Sequence, residues 1–162
     1  MRRQRPPRPK APSLVFKADP AALGVYFDEK LQRGAVLRIE DYPFLSEPVR
    51  RPKFFVVLNR DCAQPEIYHF LTTSKAAKYK TLSFHSFGVS IPAGVVDCLT
   101  AEETIVDCFR LMPTFRRAFL LEQLCAKGIS IYQPLPAAFM EQIDNIIRRS
   151  RTISPTLKAL IT

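Results

Sequence analysis

Between Ala35 and Leu111 the chain breaks into about five short runs rich in β-branched and aromatic residues, whereas from Pro113 onward its apolar residues recur at helical spacing. Strand runs followed by helix runs predict an α+β fold: a small antiparallel sheet or barrel covered on one side by helices. The strands expected are Ala35–Ile39, Phe54–Asn59, Ile67–Thr73, Leu82–Ile91 and Thr104–Leu111. Phe54–Asn59 (FFVVLN) is continuously apolar, as a buried strand is. In Ile67–Thr73 a period of two sets Tyr68, Phe70 and Thr72 on one face and His69, Leu71 and Thr73 on the other.

Helices are marked by their ends. Asp19-Pro20 reads as an N-cap with proline in the first turn, opening a helix that places Leu23, Tyr26, Phe27 and Leu31 on one face and stops at Gly34. A second helix is expected from Pro113-Thr114 to about Ala126, with Gly128 as its C-terminal signal. After a brief extended piece, Phe139, Ile143, Ile146 and Ile147 mark an amphipathic helix, and Ser154-Pro155 opens a last short one.

The length of 162 residues suits one domain, and 47% hydrophobic with 24% charged residues fits a globular chain. No run approaches the ~18 apolar residues of a membrane span and no secretory signal is evident, so a cytoplasmic protein without membrane association is expected. Of the formal charge of +9, six units fall in residues 1–17, MRRQRPPRPKAPSLVFK. Its prolines and like charges predict a flexible arm ahead of a single domain, 18–162. Within that domain no acid occurs from Ile67 to Val96, where Lys75, Lys78, Lys80, His69 and His85 all lie. With Tyr79 between two lysines, that stretch offers cations for phosphates and a ring for unpaired bases.

Cys62, Cys98, Cys108 and Cys125 show no metal-ligand spacing or disulfide framework and read as buried free thiols. His69 and His85 could serve as an acid/base pair, but strand alternation turns His69 away from Thr72. No metal constellation, phosphate-cradling glycine loop or nucleophile elbow is present in the sequence, and no cofactor is expected.

Four pieces carry a resemblance: Gly34 opening AVLRIED, RRPKFFVVLN, FLTTSK, and TIVDCFRL with KGISIYQPLPAAFMEQIDNIIRRS. In their order and spacing the chain resembles the MazF/PemK-like toxins of bacterial toxin–antitoxin systems over most of residues 34–150. The resemblance implies a small SH3-like antiparallel β-barrel with the N-terminal helix and C-terminal helices packed on it. It also implies a metal-independent endoribonuclease that cuts single-stranded RNA, a homodimer, and neutralisation by a cognate antitoxin. Thr72 matches the first threonine of the family's pair. The family arginine falls on Lys53, with Arg51 two residues upstream, so either is the candidate cation.

The implied catalytic set is therefore Lys53, Arg51 and Thr72, with Thr73, Lys75, Lys78, Tyr79, Lys80 and His85 as RNA contacts. Cations would stabilise the phosphorane-like transition state, and Thr72 would position phosphate or ribose. The lysine favours a competing expectation: a non-catalytic module on the same barrel, binding nucleic acid or protein.

Overall fold

A computed structural model describes residues 19–44, 51–81 and 85–162. The expected basic arm, residues 1–17, lies outside them. Helix α1 (Pro20–Lys30) begins as the sequence predicts, with the Asp19 carboxylate accepting from the Ala21 amide at 3.1 Å. Its buried contact is narrower than expected. Phe27 and Leu31 are buried, but Tyr26 is 40% exposed.

Six strands form one antiparallel sheet in the order β5-β6-β4-β2-β1-β8. They are β1 (Ala35–Ile39), β2 (Lys53–Val57), β4 (His69–Thr73), β5 (Gly88–Pro92), β6 (Glu103–Asp107) and β8 (Ile129–Pro134). A separate two-stranded ladder joins β3 (Glu66–Ile67) to β7 (Phe115–Arg116). No hydrogen-bonded ladder closes β5 onto β8 among the described residues. Helix α2 (Arg117–Cys125) lies between β7 and β8, and α3 (Ala137–Arg149) and α4 (Pro155–Ile161) follow β8.

Alternation along the central strands builds two cores. Val36, Val56 and Phe70 face Met140, Ile143 and Ile147 of α3 and Ile161 of α4. Leu37, Phe55 and Val57 face Phe27 of α1 and Leu120 of α2. Helices thus cover both faces of the sheet, where one covered side was expected, because β1 and β2 are apolar at every position inside the sheet except Arg38 and Lys53.

The strand expected over Thr104–Leu111 ends at Asp107, and three other boundaries differ from expectation for local reasons. The Ile67–Thr73 run is split at Tyr68, because Asn59 inserts its amide there, accepting from the Tyr68 backbone and donating to the Glu66 carbonyl at 2.7 Å each. The helix expected from Pro113-Thr114 starts only at Arg117, since Phe115 pairs with Ile67 and buries its ring in the α1/α2 core. Its end is a Schellman-type turn: Gly128 N–H bonds to the Gln123 carbonyl at 2.7 Å while Lys127 takes the left-handed φ of 59°. Finally, the run expected from Leu82 begins outside the described residues; of its described part β5 is extended, and a short 3-10 turn, His85–Phe87, precedes it.

Arg33 fastens the far ends of the chain. Its guanidinium donates to the Ile161 carbonyl at 2.7 Å and the Leu58 carbonyl at 3.1 Å, and it pairs with the largely buried Asp144 of α3. One side chain thereby ties the α1–β1 turn, β2, α3 and the end of α4 together.

Candidate functional site: a basic cleft at the β2 and β4 ends

Antiparallel pairing brings the start of β2 beside the end of β4, with Phe55 opposite Leu71. Continuing that register sets Phe54 beside Thr72, and the Thr72 hydroxyl donates to the Phe54 carbonyl at 3.3 Å. On its other side Thr72 pairs with Val106 and Thr73 with Ile105 of β6. Where these strands end, a cleft of about 510 Å³ opens, lined by Arg51, Lys53, Thr72, Thr73, Ser74 and Lys75. Its remaining lining includes Cys98 to Ala101 from the connection into β6 and Thr104 of β6 itself.

Three cations and several hydroxyls therefore line one cleft, and no carboxylate is among its described lining residues. The Thr73 hydroxyl accepts from the Lys75 amide at 3.1 Å, setting the turn that carries this lysine to the cleft. Thr72 is nearly buried, so its hydroxyl is held in a fixed direction. Because that hydroxyl donates inward, its lone pairs remain for an incoming donor. Such a surface suits a phosphodiester backbone: guanidinium and ammonium groups for the phosphate oxygens, hydroxyls for sugar and phosphate.

Cys98, the only thiol lining the cleft, is no nucleophile at neutral pH. Burial, reinforced by Asp97, pushes its thiol up to about 11. This wall escaped sequence reasoning because Cys98 to Thr104 carries no motif and reaches the site only through the β5–β6 turn.

The remaining candidates lie elsewhere. Tyr79 is 6% exposed, its ring packed on Gly88 and its hydroxyl bonded to Asp107, so it presents no face to a base. Burial first, and Asp107 second, hold its phenol well above the ordinary range. Lys78 turns to the same aspartate, 3.7 Å away, and sits over the Phe109 ring. The acid-free run is thus partly neutralised in space by an acid from β6, which sequence order conceals. Lys80 and His85 are exposed but do not line the cleft.

His69 is sealed in the α1/α2 core. Its Nε2 lies 2.7 Å from the Tyr42 hydroxyl, its ring stacks on Phe115, and Phe55 packs beside it. Burial lowers its pKa to about 3, only partly countered by the Ile67 backbone. Nδ1 has no hydrogen-bond partner among the described residues. The two-histidine acid/base scheme is therefore not assembled: His69 is a neutral core residue. Cys108 is a buried thiol as expected, whereas Cys125 is exposed.

Among the described residues no group of three or more His, Cys, Asp or Glu is placed to hold a metal, and no helix is long and apolar enough to cross a membrane. The sequence matches no protein-family model and no curated protein.

Proposed function

We propose that this chain is the toxin component of a type II toxin–antitoxin pair, a metal-independent endoribonuclease that cuts single-stranded RNA in the Arg51–Lys53–Thr72 cleft. The observation that carries the reading is the convergence of Arg51 and Lys53 with Thr72, Thr73 and Lys75 on one cleft whose described lining residues include no carboxylate. In this reading the antiparallel sheet is the SH3-like barrel of the MazF/PemK-like toxins. The active form is a cytoplasmic homodimer silenced by a cognate antitoxin.

Cleavage follows from positioning and charge. The ribose 2′-oxygen attacks phosphorus, the bond to the 5′-oxygen breaks, and a cyclic phosphate and a 5′-hydroxyl result. Water accepts the 2′-proton and returns a proton to the leaving oxygen. Arg51 and Lys53 stabilise the dianionic phosphorane, which forms between them and the Thr72 hydroxyl. Before attack the 2′-hydroxyl donates to an unused Thr72 lone pair, which aims its oxygen at phosphorus; that proton then passes to the water. Without an imidazole or carboxylate among the described lining residues, the ~10²–10⁴-fold gain of general acid–base catalysis is forgone, and a slow enzyme is expected.

The same lack of a proton-transfer group favours a second reading, a non-catalytic nucleic-acid- or protein-binding module. Lys53→Ala and Thr72→Ala separate the two when RNA affinity and cleavage are measured independently. Loss of cleavage with retained affinity supports the enzyme; loss of affinity without any cleavage in the parent supports the binder.

A further inference from the structure

Past the opposite end of β6 lies a second concavity, about 690 Å³, that shares no residue with the basic cleft. Apolar residues dominate it: Phe87, Leu111, Ile146, Ile153 and Leu157 line it, together with Phe109, which is 46% exposed and packs edge-to-face with Phe87 at 5.3 Å. Its charged residues are all arginines. Arg110 comes from the β6–β7 connection, Arg149 ends α3 and Arg151 follows it, and no carboxylate is among the described residues that line the groove.

None of these arginines has an ion-pair partner among the described residues. The end of α3 explains why two of them remain unbalanced. The Lys158 ammonium already takes the Arg148 and Ser150 carbonyls, at 2.8 and 2.7 Å, so the partial negative charge of the helix end is spent on it. The Ser150 and Thr152 hydroxyls are paired with each other at 3.0 Å, and Ser86 adds a third hydroxyl to the lining.

An apolar pocket of this size with a few convergent charged groups has the usual make-up of a small-molecule site. Three arginines from two separate segments of the chain favour an oxyanion with several acceptor atoms, such as a phosphate dianion, over a single carboxylate. The apolar lining favours a body with few polar edges, because unpaired polar atoms would be desolvated at a cost. We propose that this groove binds a phosphate monoester carrying a bulky aryl or alkyl group, its phosphate held by Arg149, Arg151 and Arg110 and its body against Phe109 and Leu157. The site stands apart from the basic cleft and does not depend on the nuclease reading.

The test is calorimetric titration of the full chain with 1-naphthyl phosphate, with octyl phosphate, adenosine monophosphate, 1-naphthol and inorganic phosphate as parallel ligands. Saturable one-to-one binding of naphthyl phosphate is expected, at least tenfold tighter than inorganic phosphate or 1-naphthol. Arg149→Gln with Arg151→Gln weakens it tenfold or more, Phe109→Ser several-fold, and Lys53→Ala leaves it unchanged. Octyl phosphate binding as tightly identifies an alkyl ligand, and binding more weakly an aryl one. Undiminished affinity in the folded double arginine variant overturns the proposal. So does loss of binding in Lys53→Ala, or tighter binding of adenosine monophosphate than of naphthyl phosphate.

Discussion

Thr72 and Phe54 are joined across the β2–β4 ladder, the threonine hydroxyl donating to the phenylalanine carbonyl at 3.3 Å. Phe54 follows Lys53 directly, so this bond fixes the cation-bearing strand end against the hydroxyl-bearing one. Thr72→Val is predicted to cost about 0.5–1.5 kcal/mol of stability and to lower cleavage at least tenfold, with Thr72→Ser restoring both. Urea denaturation and single-turnover cleavage measure the two effects separately, and full activity in the valine variant would remove Thr72 from the mechanism.

His69 sets a pH dependence of stability. Its folded pKa, about 3, lies below the ordinary 6.5, so below pH 6.5 the unfolded chain gains a proton that the folded chain refuses. Stability from this group is complete above pH 6.5 and falls with pH down to about 3, by as much as about 1.4 kcal/mol per pH unit. His69→Phe should flatten that slope relative to the parent in denaturation curves taken between pH 4 and 7. Equal slopes in the two proteins would refute the neutral, buried histidine.

Arg33 and Asp144 form a largely buried ion pair, with the arginine also holding the Ile161 carbonyl. Arg33→Ala strands the carboxylate and frees the last turn of α4. Because both side chains retain some exposure, a loss on the order of 2–3 kcal/mol is expected, below the ~3–5 kcal/mol of a fully buried pair. Asp144→Asn, which keeps an acceptor, should cost clearly less. Thermal denaturation of both variants gives the comparison, and an Arg33→Ala protein of parental stability would show the clamp to be idle.

Gly88 opens β5 against the Tyr79 ring. A Cβ there would lie 2.7 Å from Tyr79 Cδ1 and 2.9 Å from Ile105 Cγ2, so Gly88→Ala is predicted to destabilise by about 1–3 kcal/mol through overpacking. Tyr79 fluorescence should change with it if the ring is displaced. An alanine variant with unchanged stability and emission would mean that Tyr79 is not packed on that strand.

The periodic and capped elements were legible in the sequence. Asp19 and Ser154 cap their helices, and β4 sets His69 and Thr72 on opposite faces, as alternation requires. Contacts that join distant segments were not legible. Asn59 splits a strand by imitating a backbone partner, Phe115 is drawn from an expected helix into a ladder, and Asp107 reaches Lys78 and Tyr79 from β6. The candidate site divides the same way. Arg51, Lys53, Thr72, Thr73 and Lys75 meet because β2 and β4 are neighbours, while the wall from Cys98 to Thr104 depends on a turn without a motif.

The most direct test of the central claim is cleavage of a long unstructured RNA in excess EDTA, comparing the parent with Lys53→Ala and reading the product ends. The account predicts cutting that persists in EDTA, products bearing a cyclic phosphate and a 5′-hydroxyl, and a rate at least a hundredfold lower in the variant with RNA binding largely kept. An RNA left intact by the parent, or cut equally well by Lys53→Ala, would contradict it.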